Sequence, residues 1–151
     1  MERTLILLKP DALQRRFLGR MIARFEAKGL KIVALKMMRI TPDLAARHYA
    51  EHQGKPFYAP LMAFITSAPV VAMALEAAGV VAIVRRMVGK TFGTEAEPGT
   101  LRGDFGVSNR YNLVHASDSP DSAARELALF FSAGELLEYR MPDEPLISEL
   151  L

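Results

Sequence analysis

One histidine of this chain stands in a setting that suits phosphate chemistry. His115 lies within residues 112–119, Asn-Leu-Val-His-Ala-Ser-Asp-Ser, where a short apolar stretch gives way to a capped helix. Imidazole serves as a neutral nucleophile or a proton carrier near pH 7, because its ordinary pKa lies close to that value. A helix N-terminus beside a strand end also binds phosphate through backbone N–H groups and the helix dipole. A single histidine in this position is more often structural, so a functional role for His115 must be argued from other residues of the chain.

Two further segments carry cations that suit a phosphate ligand. Lys9-Pro10-Asp11 follows a short apolar run, and residues 98–105, Pro-Gly-Thr-Leu-Arg-Gly-Asp-Phe, contain Arg102. The planar fork of an arginine matches phosphate oxygens, while a lysine supplies a compact point charge. These two segments and the histidine run together make a specific pattern.

The three segments together resemble the nucleoside diphosphate kinase family. The family signature around its phosphorylated histidine is Asn-x-x-His-Gly/Ala-Ser-Asp-Ser, and residues 112–119 fit it. The resemblance covers roughly residues 2–140 with no large insertion. Further matches are Ala27-Lys28-Gly29-Leu30, His48-Tyr49, Lys55-Pro56-Phe57, residues 67–73 and Glu126.

The resemblance implies a kinase that works in two half-reactions. His115 would attack the γ-phosphorus of a nucleoside triphosphate and carry the phosphoryl group as phosphohistidine to a nucleoside diphosphate, which is ping-pong chemistry. Glu126 would orient the imidazole ring, and Ser117 would support Glu126. Lys9 and Tyr49 would act beside the phosphates.

The same resemblance assigns the nucleotide contacts. Phosphoryl transfer depends mainly on positioning and charge neutralisation. The residues implied for the phosphates and the sugar are Lys9, Arg85, Arg102 and Thr91, with Asn112 at the ribose. Phe57 would be the platform for the base, with Leu61 beside it, and stacking accepts any base because every base has a π-face. Mg²⁺ would arrive on the nucleotide phosphates rather than in a protein cage, with Asp118 contacting it through water.

Several residues keep alternatives open. Arg86 is a confusing neighbour of Arg85, and counting back from the Gly-Lys-Thr at 89–91 favours Arg85 as the contact. Asn109 stands where the family commonly has a small apolar residue over the base, so it either hydrogen-bonds a base edge or is solvated. His48 and His52 lack such context and are predicted to be surface helix residues. Residues 89–91 resemble the end of a P-loop, but the required upstream glycine and strand are missing.

The strands and helices that must position these residues are predicted from the spacing of apolar residues and from the residues that start and end helices. Strands are predicted at residues 5–8, 30–40, 70–75 and 113–115. Helices are predicted at residues 18–28, from the Thr41 cap to about 50, 60–66, 80–88, and from the Ser119 cap to about 131. Residues 89–111 are predicted to be a long ordered loop, which is usually functional. This order predicts one α/β domain over residues 1–151, an α+β sandwich with the ferredoxin-like βαββαβ arrangement, an antiparallel four-stranded sheet and a helical insertion.

Composition bounds the remaining possibilities. The 151 residues carry 19 Lys+Arg against 17 Asp+Glu, which is too balanced to indicate a nucleic-acid or membrane surface. The absence of cysteine excludes disulfides, thiolate metal sites and cysteine nucleophiles. The first residues read as a strand rather than a signal peptide, and no run is long enough for a membrane span, so we expect a cytoplasmic protein.

Two other functions are less consistent with the sequence than the kinase. Ferredoxin-like sheets also bind RNA through exposed aromatic residues, but residues 30–40 and 70–75 contain none. A catalytically inactive scaffold would not need the complete set of site residues. The resemblance therefore implies ATP, GTP, ADP and deoxynucleoside diphosphates as ligands, Mg²⁺ as cofactor, and a homo-oligomer, either hexamer or tetramer, with no specific nucleic acid and no membrane as partner.

Overall fold

A four-stranded antiparallel sheet forms the centre of the fold. The computed structural model describes residues 1–147. The strands are β1 (Glu2–Leu8), β2 (Lys31–Met38), β3 (Val70–Ala77) and β4 (Val114–Ala116), in the order β2-β3-β1-β4. Every neighbouring pair is antiparallel. This order is that of the ferredoxin-like arrangement, so the predicted fold class is confirmed.

Helices connect the strands and cover both faces of the sheet. They are α1 (Pro10–Gln14), α2 (Leu18–Ala27), α3 (Pro42–His48), α4 (Tyr58–Ile65), α5 (Val80–Val88), α6 (Leu101–Phe105), α7 (Pro120–Phe130) and α8 (Glu144–Ile147), with 3-10 turns at Ala50–His52 and Ala133–Glu135. The predicted caps are present, because the side chains of Thr41 and Ser119 accept hydrogen bonds from the first turns of α3 and α7. Within residues 1–147, no helix is both long and apolar enough to cross a membrane.

Alternation along β1 divides the core into two layers. Ile6 and Leu8 pack with α2 and α5 on one face, whereas Leu5 and Leu7 pack with α3, α4 and α7 on the other. All four side chains are fully buried, and each such burial stabilises the fold by about 1.5–3 kcal/mol. Helices cover both faces of the central strands β1 and β3, which are the strands that an RNA-binding sheet would expose, and this counts against that alternative.

The long segment after α5 is more structured than the sequence indicated. The predicted loop at 89–111 contains α6, whose N-cap residue Thr100 accepts a hydrogen bond from the backbone N–H of Gly103. Leu101 is fully buried beneath this short helix. Five residues including an internal glycine have little helix propensity, so the cap and the buried leucine stabilise α6 where local preference does not.

Other helices and strands also begin or end at residues different from those predicted. Helix α1 was not predicted, although a proline at its first position is a common helix start. Helix α4 begins at Tyr58, two residues before the predicted Pro60, because a proline is tolerated within a first turn. Strand β3 runs two residues further than predicted, to Ala77.

Candidate active site

The residues implied by the resemblance surround one cavity of about 640 Å³. It opens between β4, the C-terminal end of α5, the segment after α3, and the loop that contains α6 and continues to β4. The implied residues that line it are Lys9, Tyr49, Phe57, Leu61, Arg85, Thr91, Arg102, Asn112, His115, Asp118 and Glu126. Ser117 is buried behind Glu126 and does not reach the cavity surface. Residues from the whole length of the chain therefore converge on one volume.

The strand register decides which way His115 points. His115 pairs with Leu7 across the β1–β4 ladder, and directly paired residues of an antiparallel sheet share a face. Its neighbours Val114 and Ala116 are buried in the opposite layer of the core. His115 therefore faces α3 and α7, with 21% of its side chain exposed toward the cavity.

A chain of hydrogen bonds behind His115 holds its ring. Nε2 of His115 lies 3.0 Å from Oε1 and 3.1 Å from Oε2 of Glu126. The hydroxyl of Ser117 donates to Oε1 of Glu126 at 2.6 Å, and Ser117 Oγ in turn accepts from the backbone N–H of Leu5. Burial by itself would raise the pKa of Glu126, but the bonds from His115 and Ser117 and the charge of His115 outweigh it, so this pKa lies below its ordinary value.

The ionised carboxylate fixes the tautomer of His115. A carboxylate only accepts hydrogen bonds, so Nε2 must carry the proton that lies between the two groups. In the neutral ring Nδ1 then holds the free lone pair. The hydrogen bond to Glu126 thus leaves Nδ1 as the ring nitrogen that can accept a proton or bind a ligand.

Lys9 and Asn112 join the start of α1 to the long loop. Nζ of Lys9 donates to Oδ1 of Asn112 at 2.8 Å, and Nδ2 of Asn112 donates to the carbonyl of Thr91 at 3.0 Å. Lys9 is buried, which lowers its pKa to about 8; the charge of Arg102 lowers it further and Asp11 opposes the change. Both side chains that were implied as nucleotide contacts therefore also brace the wall of the cavity.

Arg102 has a structural role in addition to its charge. Its guanidinium donates to the carbonyls of Gly89, Asn112 and Val114, at 3.1, 3.2 and 2.5 Å. A guanidinium has five N–H groups, so two remain for a ligand in the cavity. Burial, then the charge of Arg85, lowers the pKa of Arg102 to about 10.

The two arginines at the end of α5 have different surroundings. Arg85 lines the cavity, and its Nη1 donates to the carbonyl of Ala116 at 3.3 Å, beside His115. Both arginines are exposed, but Arg86 lies outside the cavity lining. The choice of Arg85 over Arg86 as the nucleotide contact stays a prediction.

The end of the cavity remote from His115 is aromatic. Phe57 at the start of α4 is 50% exposed, with the His52 ring edge-on at 5.3 Å and Nζ of Lys55 at 5.7 Å from its ring centre. On the adjoining wall the rings of Phe64 and Tyr111 lie 4.8 Å apart. Sequence reasoning missed this second pair, because neither residue belongs to a quoted motif.

Asn109 lies on the cavity wall with one end of its amide already engaged. Its Oδ1 accepts a hydrogen bond from the hydroxyl of Thr94 at 2.7 Å, within the same loop. The NH₂ group retains its donors. Asn109 is therefore held by the loop rather than simply solvated, and it can still offer donors to a ligand.

The prediction that His48 is a surface residue is wrong. Only 3% of His48 is exposed, and its ring stands edge-on to that of His115 with centres 4.7 Å apart. Ala45, His48 and Tyr49 are all buried, which is the i, i+3, i+4 pattern of an inward helix face. That periodicity in residues 45–49 was the signal that sequence reasoning overlooked. His52, by contrast, is partly exposed on the 3-10 turn that follows.

Tyr49 reaches the cavity from the C-terminal end of α3. Its hydroxyl is buried and has no hydrogen-bond partner among the described residues. Burial raises the pKa of this phenol, and the charge of Glu126 raises it further, so Tyr49 stays protonated and offers an O–H donor.

The Asp and Glu side chains of residues 1–147 do not gather in a group of three that could hold Mg²⁺. Within residues 1–147, the one group of three potential ligands whose atoms lie within 4.8 Å of one another is His48, His115 and Glu126, which is rich in nitrogen. Mg²⁺ prefers oxygen ligands and keeps several waters. Asp118 is exposed at the cavity and supplies a carboxylate there. An Mg²⁺ ion carried mainly by a ligand's own phosphates stays a prediction, for which Asp118 offers a nearby carboxylate.

The fold and the cavity together define an α/β protein with a nucleotide-sized cleft, in which a supported histidine faces buried cations. The family pattern described as nucleoside diphosphate kinase matches residues 2–136. A nucleoside diphosphate kinase of Rhodopirellula baltica is 59% identical over 141 residues, which is 93% of each chain. One of Methanothermobacter thermautotrophicus is 53% identical over 99% of each chain. A halophilic nucleoside diphosphate kinase of Halobacterium salinarum, solved in complex with CDP, superposes with a TM-score of 0.96 at 45% identity, covering 98% of this chain and 99% of its own.

The chain belongs to the nucleoside diphosphate kinase family. Its activity is that of a nucleotide-binding phosphotransferase which moves the γ-phosphoryl group of a nucleoside triphosphate to a nucleoside diphosphate. The general mechanism of the family is ping-pong through a phosphohistidine. The prediction of family and enzyme class from the sequence is confirmed.

Proposed function

We propose that His115 is the nucleophile of this kinase and carries the phosphoryl group on Nδ1. The observation that supports this assignment is the bond between Nε2 and the buried carboxylate of Glu126, 3.0 Å long. It leaves Nδ1 as the nitrogen with a lone pair. Glu126 and Ser117 are positioning residues, because they hold the ring without reaching the transferred group.

The first half-reaction forms one bond and breaks another. The lone pair of Nδ1 attacks the γ-phosphorus, the Nδ1–P bond forms, and the bond to the bridging oxygen breaks as the nucleoside diphosphate leaves. The ring becomes positively charged, and the carboxylate of Glu126 at Nε2 balances that charge. In the second half-reaction, a β-phosphate oxygen of another diphosphate attacks the same phosphorus, the Nδ1–P bond breaks, and its electron pair returns to Nδ1, so the ring is neutral again.

Four side chains are assigned to the phosphates and the sugar next to them. Lys9, Arg85 and Arg102 neutralise charge that spreads over the phosphate oxygens, and Thr91 contributes a hydroxyl from the loop. The protonated hydroxyl of Tyr49, buried and unpartnered among the described residues, is a further donor toward the transferred group. Mg²⁺ supplies additional charge neutralisation when bound to the nucleotide, with Asp118 as a carboxylate that can contact it through water.

The nucleoside lies along the aromatic end of the cavity in this proposal. Phe57 stacks on the base beside Leu61, and Asn112 contacts the ribose. The half-exposed ring of Phe57 supports this assignment, because a core phenylalanine would be buried. We therefore propose ATP, GTP, ADP and deoxynucleoside diphosphates as ligands, since stacking discriminates weakly between bases.

The assembly and the setting are part of the same proposal. The chain forms one domain over residues 1–151 and assembles with copies of itself as a hexamer or a tetramer. The second half of β2, at the edge of the sheet, supports assembly because Leu35 and Met37 are exposed there. We propose the cytoplasm as its location, where nucleoside triphosphates and diphosphates are held.

Labelling with γ-³²P-ATP tests the assignment of His115. The protein should take up a label that is labile in acid and stable in base, and double-reciprocal plots should be parallel. His115→Ala should remain folded but take up no label, whereas the matched control His52→Ala should be labelled. NMR of the phosphoprotein should show the Nδ1 isomer. Intersecting plots, or a labelled His115→Ala, would contradict the proposal.

A further inference from the structure

Three side chains of the cavity are arranged like metal ligands, although phosphoryl transfer does not require it. One ligand atom from each of His48, His115 and Glu126 lies within 4.8 Å of the other two. Neither ring nitrogen of His48 has a hydrogen-bond partner among the described residues, and the residue is 97% buried, at 3% exposure. A buried polar group without a hydrogen-bond partner costs free energy, so a ligand that bound these nitrogens would recover that cost.

The chemistry of the three atoms selects the class of ion. Two imidazole nitrogens and one carboxylate oxygen suit Zn²⁺ and similar transition metals, and they suit Mg²⁺ poorly. Bonds of about 2.0–2.2 Å put the ligands of a tetrahedral ion roughly 3.4 Å apart, so modest side-chain shifts would close the site. The cavity side leaves a fourth position for water.

We propose that His48, His115 and Glu126 bind a divalent transition-metal ion of the Zn²⁺ type, and that the bound ion switches phosphoryl transfer off. The binding stands on geometry alone. The inhibition rests on the proposed role of His115.

The ion disables His115 whichever ring nitrogen it takes. At Nδ1 it occupies the nucleophilic lone pair directly. At Nε2 it displaces the proton, and the neutral ring then carries that proton on Nδ1, where it removes the lone pair. In both cases the nitrogen that attacks phosphorus is lost.

Calorimetric titration of the metal-free, nucleotide-free protein with Zn²⁺ tests the binding. We expect one ion per chain, retained in millimolar Mg²⁺. His48→Phe keeps a planar ring but removes both nitrogens, and should weaken binding at least about tenfold, since even outer partners of metal ligands are worth that much. The matched control His52→Phe should bind as the parent does. His48→Gln serves as a second variant if His48→Phe does not fold, and is also expected to weaken binding. A parent that binds no Zn²⁺, or variants at His48 that bind it as tightly as the control, would overturn the site.

A spectroscopic measurement and a phosphorylation measurement sharpen the test. Co²⁺ in place of Zn²⁺ should give the intense visible absorption of a four-coordinate ion, and this should vanish in His48→Phe. Protein phosphorylated beforehand should bind Zn²⁺ at least about tenfold more weakly, because the phosphoryl group takes Nδ1 of His115 and the positively charged ring holds its proton on Nε2. Zn²⁺ that binds at His48 without slowing phosphoenzyme formation would overturn the inhibition alone. A chain that binds Zn²⁺ but takes up no phosphate from ATP without metal would instead count against the proposed function.

Discussion

Lys9 and Arg102 carry positive charge into a part of the protein where water is scarce. Both are buried, and burial lowers the pKa of each, to about 8 and about 10. A phosphate group that enters the cavity would relieve this cost by supplying opposite charge. The cost of burying these two cations therefore favours binding of an anionic ligand. The lowered pKa of Lys9 should be visible in the pH dependence of the enzyme's activity.

The first prediction concerns Lys9 and alkaline pH. Since its pKa in the free protein is about 8, Lys9 loses its charge above that pH, and kcat/KM should fall by about tenfold per pH unit. Bound phosphate restores the charged form, so kcat should fall only at higher pH. Lys9→Arg keeps the charge and should extend the plateau. An unchanged alkaline limb in Lys9→Arg would show that another group titrates.

The same shift has a consequence for stability with a definite sign. The pKa of Lys9 is about 8 in the folded protein against 10.5 for an ordinary lysine. Between these values the unfolded chain binds more protons, so the contribution of Lys9 to the free energy of unfolding rises with pH. Urea unfolding at pH 7.5 and pH 9.5 should show a rise that is smaller in Lys9→Met.

The second prediction separates the arginines of the cavity. Arg85→Ala should lower kcat/KM at least tenfold, because it removes a charge-assisted contact worth about 1.5–3 kcal/mol, while the free energy of unfolding changes little. Arg86→Ala is the control and should do much less. Arg102→Ala should lower both activity and stability, since three backbone carbonyls lose their donors. A larger loss in Arg86→Ala than in Arg85→Ala would contradict the assignment.

At the scale of elements, the loop between α5 and β4 depends on a close backbone approach. A Cβ atom at Gly93 would lie 2.4 Å from the carbonyl oxygen of Gly106, a distance that real Cβ atoms do not adopt. The loop carries Thr91 and Arg102 to the cavity, so spreading it would displace both. Gly93 has no positive φ, so glycine is required here by the crossing of two backbones and not by an unusual backbone conformation.

The third prediction uses this crossing. Gly93→Ala should lower the free energy of unfolding by about 1–3 kcal/mol and raise KM severalfold, because the loop must shift to admit the methyl group. At Gly134 a Cβ would meet nothing within 4 Å, so Gly134→Ala is the matched control. Nucleotide titration and urea unfolding of both variants measure the two effects. Equal behaviour of the two variants would show that the crossing is not required.

The sequence predicted the elements that have strong local signals. The apolar run in β1, the caps at Thr41 and Ser119 and the helical spacing in α5 all specify their structures locally. Helix α6 could not be predicted, because its stability comes from burial of Leu101 against distant parts of the chain. Local sequence patterns predict segments with strong helix or strand signals. Tertiary packing determines the structure of segments whose local signals are weak.

For the site, the motifs predicted which residues converge but not how they contact one another. The resemblance implied His115, Glu126 and Ser117 together, and the structure adds which atoms of the three side chains meet and at what distances. The burial of His48 depends on the packing of α3 against α7 and β4, which no motif encodes. The three hydrogen bonds of Arg102 to backbone carbonyls could not be predicted either. Every residue has a backbone carbonyl, so no sequence pattern marks the ones that will accept a bond.

At the scale of the whole molecule, β2 is the edge strand with an uncovered half. Its first half is covered by the C-terminal segment. The backbone N–H of Leu137 donates to the carbonyl of Val33, and the hydroxyl of Tyr139 donates to the carbonyl of Ile32. Beyond Ala34 the side chains of Leu35 and Met37 are 51% and 63% exposed. An uncovered, apolar strand edge is a template for pairing with another chain.

The fourth prediction follows from this edge. If two copies of the chain pair through the second half of β2, a charge there would face its symmetry mate, because a twofold contact sets the same patch against itself. Met37→Glu should therefore reduce the mass measured by light scattering, and the double change with Leu35→Glu should reduce it further. Leu146→Glu, at a residue that is exposed on α8, is the control for a new surface charge and should keep the parent mass. The cavity is built from one chain, so phosphoenzyme formation should persist in the smaller species, although its thermal stability should fall and depend less on protein concentration. A parent that is monomeric, or a Met37→Glu variant with the parent mass, would exclude β2 as the contact.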